Sequence, residues 1–169
     1  VVSGLAGRKN QWMEEKGLPP RELASWDELR EMAEGGIEIG SHTVSHLALT
    51  ECDAGTLAKE VRESKEEIER RLGKPVRFFA YPFGLEDERV RSAVAAEGYE
   101  AACSTRSGFN GAGADPFALR RLEIYGSDSL WKFAVKLAWG TNDATLGLIA
   151  RYYLSRVRAR LGRWVPAWT

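Results

Sequence analysis

The 169-residue chain contains two histidines, and they stand four positions apart: His42 and His46, in the stretch GIEIGSHTVSHLAL over residues 36–49. Imidazole is the commonest metal ligand among side chains. A catalytic zinc site typically uses three protein ligands of His, Asp or Glu type and leaves a fourth position for water. Residues i and i+4 share a face where the backbone turns helically, so the pair can reach one ion. The spacing also fits a metal-free reading, in which His42 closes a loop and His46 packs under Leu47 and Leu49. Ile37-Glu38-Ile39 just ahead reads as a short strand, and a site at the end of a strand favours the metal.

The surrounding elements alternate. Ser25-Trp26-Asp27-Glu28 forms a capping box that starts a helix with Trp26, Leu29, Met32 and Ala33 on one face and Gly35-Gly36 as its stop. A second helix is predicted from about Asp53, with Leu57, Val61, Ile68 and Leu72 on one face and Gly73 and Pro75 at its end. Val76–Ala80 is β-branched and aromatic, a strand by composition, and runs into a loop at Tyr81-Pro82-Phe83-Gly84. Residues 86–97 read as a helix, 99–103 and 122–125 as strands, and a further helix is predicted from Ser127-Asp128 through Leu137. Such alternation predicts an α/β fold with a mostly parallel sheet, and ligand sites in such folds collect beyond the carboxyl ends of the strands. Both the histidine loop and Tyr81–Gly84 occupy that position.

Composition narrows the function classes. Acidic and basic residues balance at 24 each, which argues against nucleic acid as the main partner. Cys52 and Cys103 cannot build a disulfide framework and read as buried small apolar residues. No stretch approaches the roughly 20 apolar residues of a membrane-spanning helix.

Ser41-His42-Thr43-Val44-Ser45-His46 resembles the H[S/T]xxH metal motif of the polysaccharide deacetylase family, the NodB-like carbohydrate esterases. LGKPVRFFAYPFG, residues 72–84, resembles that family's next motif, and the likeness runs over roughly residues 20–125. The resemblance implies a distorted (β/α) barrel and removal of acetyl groups from N-acetylated sugars or polysaccharides, with an Asp and two His holding a divalent metal, commonly zinc. It makes His42 and His46 metal ligands. The Phe83 main-chain N–H becomes a catalytic donor to the developing oxyanion, and Tyr81, Pro82, Phe83 and Gly84 line the substrate groove. On residues alone, Tyr81–Gly84 also fits an ordinary strand-ending turn with an aromatic plug.

The chain departs from the family pattern. The family's first motif, an Asp pair that supplies the base and third ligand, has no counterpart, because Asp-Asp occurs nowhere; nor is there a third His for a general acid. An Arg commonly precedes the Pro-aromatic pair, where this chain has Phe79-Ala80-Tyr81, with Arg77 the nearest. Glu38 sits four strand residues from His42, roughly 13 Å, and Glu51, Asp53, Glu86 and Asp87 read as helix-start residues. Val1-Val2-Ser3-Gly4 reads as the end of a strand. The expectation is therefore a barrel incomplete on its N-terminal side, inactive in this form, with zinc weakly bound or absent, and with either a homo-oligomer closing the open edge or the barrel left open next to the His42 loop. The competing expectation is a non-catalytic glycan-binding or interaction module.

Residues 1–145 are assigned to the deacetylase-like domain and 146–169 to a basic amphipathic tail with five arginines, two tryptophans and no acid. The tail is predicted to be helical in part, burying Ile149, Tyr153 and Val157 or meeting a membrane surface or partner.

Overall fold

The computed structural model describes residues 1–10, 13, 14, 17–143, 145 and 147. The chain divides into two compact units, Val1–Arg106 with Asn110–Arg121, and Ser107–Phe109 with the residues from Leu122 on.

The first unit is a succession of parallel strand segments separated by helices. The Val1 amino group donates to the Gly40 carbonyl (2.6 Å) and the His42 N–H to the Val1 carbonyl (2.8 Å), a parallel pairing. Ser41 in turn bridges in parallel to Phe79. Strand β1 (Phe78–Ala80) pairs in parallel with β2 (Ala101–Cys103), and Cys103 bridges in parallel to Leu119. Each segment therefore neighbours the next one along the chain, the order of a singly wound α/β wall. Three helices supply the crossovers: α1 (Trp26–Glu34), α2 (Ala54–Leu72) and α3 (Glu88–Ala96).

Local chemistry sets their ends. The Ser25 capping box forms, with the Ser25 N–H donating to Glu28 at 2.7 Å. Asp53 caps α2 by accepting from the Gly55 and Thr56 N–H groups, and Asp87 caps α3 by accepting from Val90. Gly73, at φ 66°, stops α2 in the left-handed conformation that glycine adopts without strain. The core gathers Leu57, Val61 and Ile68 of α2, Val90 and Val94 of α3, and Phe79, Tyr81 and Ala102 from the strands.

Several expectations are corrected. Ile37–Ile39 is not a strand: Ile37 is exposed, and the parallel bridge to β1 falls at Ser41. Met32, placed on the inner face of α1, is exposed. Residues 122–125 form no strand, and the parallel bridge beyond β2 falls at Leu119. Both cysteines are half-buried rather than buried.

In the second unit, α4 (Leu130–Trp139) is capped by Ser129 rather than starting at Ser127. Asp128 is held back in the preceding turn, where its carboxylate accepts from the Tyr125 N–H and from the buried Lys136 ammonium at 2.6 Å. The predicted tail helix lies outside the described residues, Gly147 apart. Among the described residues no helix is long and apolar enough to cross a membrane.

Tyr81 shows how tightly β1 is tied in. Its side chain is fully buried and its hydroxyl donates to the Phe117 carbonyl at 2.8 Å. Tyr81→Phe leaves that carbonyl short of a donor and is expected to cost about 1–2 kcal/mol in denaturant unfolding.

Candidate metal centre

His42 follows directly on the paired residue Ser41, and its ring is fixed by the next strand. Its Nδ1 lies 2.6 Å from the Ala80 carbonyl oxygen. A carbonyl can only accept, so Nδ1 carries the proton and Nε2 presents its lone pair, the arrangement by which a ligating histidine is oriented in metal sites. Burial lowers the His42 pKa to about 4, against the opposing pull of the Ala80 bond and with nearby His46 adding to the shift. An apolar cavity of about 280 Å³ lined by Val1, Val2, Ala6, Leu23, Ala24 and Leu29 adjoins the ring. The imidazole is thus neutral at pH 7, the form that binds metal.

The path from His42 to His46 is not a helical turn. Thr43 has φ 69° and His46 φ 61°, and with Phe83 at φ 57° they are the non-glycine residues of positive φ among the described residues. A left-handed β-branched residue such as Thr43 is a true outlier, and such strain costs on the order of 1–3 kcal/mol unless its surroundings over-determine it. They do so here. The Ser3 and Gly4 N–H groups donate to the Thr43 and Val44 carbonyls at 3.0 Å each, and the His46 N–H donates to Thr43 Oγ1 at 2.9 Å. The Val44 and Ser45 N–H groups both donate to Glu60 Oε2 of α2, each at 2.9 Å.

The result brings the rings together edge to face, with centroids 4.8 Å apart and planes at 67°. Zinc–nitrogen bonds of about 2.0–2.1 Å at a near-tetrahedral angle place two ligating imidazole centroids roughly 5 Å apart, a spacing close to that of these rings and also that of an ordinary edge-to-face contact. Among the described residues no group of three or more His, Cys, Asp or Glu gathers to complete a site.

The second motif is split between core and surface. Tyr81, Pro82 and Gly84 are buried, and burial pushes the Tyr81 phenol pKa up. These three shape the turn from within, while Phe83 is exposed, its ring 4.7 Å from His46 in an edge contact. Arg77 does not replace the arginine absent before Tyr81: it sits at the start of β1, paired with Glu38 and 3.9 Å from Glu100. Glu86 precedes α3 rather than opening it, and its fully buried carboxylate meets Arg91 and lies 3.0 Å from Arg106.

Sequence reading passed over Glu60. It lies on the core side of α2, between Leu57 and Val61, and is 6% exposed. The signal was the spacing 57, 60, 61, 64, 68, which puts a carboxylate in the apolar stripe.

The sequence matches the polysaccharide deacetylase family over residues 6–102, more than half of the chain. The chain belongs to that family. It is 28% identical over 98 residues to YxkH of Bacillus subtilis (strain 168), named as a polysaccharide deacetylase, a match covering 58% of this chain and 35% of the relative. Among solved structures it resembles the deacetylase PplD of Streptococcus pyogenes (TM-score 0.64, 23% identity, 75% of this chain and 52% of that one). It also resembles a polysaccharide deacetylase from Bacillus cereus (TM-score 0.60, 30% identity, 68% and 36%). The chain therefore spans about a third of the curated relative and about half or less of these structures.

Proposed function

We propose that this chain carries the histidine pair of a metal-dependent deacetylase acting on N-acetylated sugars or polysaccharides. The observation that carries the reading is the meeting of the two rings at 4.8 Å, with His42 Nδ1 committed to Ala80 and the lone pair therefore on Nε2. Family membership supplies the reaction class.

His42 and His46 would hold the ion, zinc by the chemistry of the donors. When bound, it supplies a Lewis acid that polarises an acetamide carbonyl and acidifies water. The Ala80 carbonyl keeps His42 in the ligating tautomer. The Phe83 N–H, at the exposed left-handed turn beyond β1, is the donor to the oxyanion, and the Phe83 ring against His46 forms the wall a sugar would meet. Two ligands bind a metal weakly, and no described carboxylate joins them to serve as base. General-base assistance is worth about 10²- to 10⁴-fold, so the chain alone should release negligible acetate.

The test measures acetate release from N-acetylglucosamine oligomers with added zinc, for this chain and for the longest form its gene encodes. Activity in the longer form that disappears with His42→Ala supports the proposal. A longer form that binds metal and releases no acetate contradicts it and favours a glycan-binding role.

A further inference from the structure

We propose that Glu60 is a positioning residue that sets the separation of the two imidazoles, by clamping the loop between them to α2. The proposal rests on the metal-centre reading for its purpose, but its geometry stands apart from any ion.

Glu60 and Ser64 lie one turn apart on the same face of α2, and they hold the chain on either side of His42. Ser64 Oγ is 2.6 Å from Ser41 Oγ, both side chains buried, which ties down the residue just before His42. Glu60 Oε2 accepts from Val44 and Ser45, the two residues midway to His46. These are two charge-assisted bonds from one oxygen to consecutive amides, in a buried setting where such bonds are strong and unpaired amides costly. The segment they restrain contains Thr43 and ends at His46, both in left-handed conformations. A loop carrying that strain relaxes when its restraints are removed, and the ring of His46 moves with its backbone.

A purely structural role for Glu60 predicts lower stability and nothing more. A positioning role predicts a change at the rings that stability alone does not produce. The experiment compares Glu60→Ala, Glu60→Gln and, as a core control on the same helix, Leu57→Ala. Each full chain is followed by thermal unfolding, by hydrogen exchange at the Val44 and Ser45 amides without metal, by His42–His46 ring proximity in NMR, and by titration with zinc against a chromophoric chelator.

For Glu60→Ala we expect faster exchange at both amides, loss of ring proximity and a zinc dissociation constant raised about 10- to 100-fold, the usual loss for an outer-shell partner. Glu60→Gln keeps an acceptor oxygen but loses the charge, so its loss should be under about tenfold; it remains the informative variant if Glu60→Ala fails to fold. Leu57→Ala should lower the melting temperature and leave zinc affinity of the folded chain unchanged. Folded Glu60 variants with unchanged amide exchange and ring proximity would overturn the proposal, as would a Leu57→Ala effect on zinc equal to theirs. A wild-type chain that binds no measurable zinc agrees with a site of two ligands, and exchange and ring proximity then decide for or against Glu60.

Discussion

His42→Ala is expected to reduce the zinc affinity of the chain by about a hundredfold or more while leaving it folded. Neutral imidazole ligands each carry a large share of the roughly 10–16 kcal/mol available to a four-ligand zinc site, and a pair reduced to one ligand holds little. The variant should also change the pH dependence of stability in a direction that burial dictates. In the metal-free folded chain His42 takes up a proton only near pH 4, whereas an unfolded imidazole does so near 6.5. Between these values the unfolded state binds more protons, so this contribution is fully present above about pH 6.5 and is lost as the pH falls toward 4. Its size is on the order of 3 kcal/mol. Removing His42 should flatten that part of the curve in chelator-treated protein, so the variant equals or exceeds the wild type at pH 4.5. Zinc titration and denaturant midpoints across pH 4–8 check both halves. A wild-type curve flat through that range would show that His42 titrates freely.

Gly84→Ala is expected to destabilise the chain by about 3 kcal/mol or more, a large fraction of the roughly 5–15 kcal/mol that holds an ordinary domain folded. Gly84 has φ 70°, and a Cβ there would stand 2.0 Å from Thr105 Oγ1 and 2.5 Å from the Thr105 backbone N. A rotated threonine could relieve the first contact. The second is with backbone just beyond β2 and cannot yield without moving the strand. The same shift would carry Phe83, whose carbonyl accepts from Thr105 Oγ1 at 3.3 Å, away from His46. Denaturant unfolding measures the loss. A variant within 1 kcal/mol of wild type would mean the turn has room that the geometry denies it.

The helices were legible because their signals are local. Ser25 with Glu28 announces the start of α1 and Asp53 that of α2, and both helices form where those caps place them, whereas α3 starts after its Asp87 cap and not at residue 86. The strands were less so. Pairing depends on partners distant in sequence, so composition favours apolar Ile37–Ile39 while the bridge to β1 forms at Ser41. The two histidines stood out by number and spacing. How they meet did not, because a helical turn was the simplest route between i and i+4, whereas the chain uses two left-handed residues held by Glu60 and Thr43. Tyr81 and Pro82 share a motif with Phe83, and only burial separates their roles.

The central claim is that His42 and His46 serve one ion, and imidazole nitrogen NMR of the chain titrated with zinc tests it most directly. The account predicts that nitrogens of both rings shift together at a single stoichiometry. His42 should ligate through Nε2 while Nδ1 keeps its proton toward Ala80. A shift confined to one ring, ligation through His42 Nδ1, or two separate zinc equivalents would contradict it.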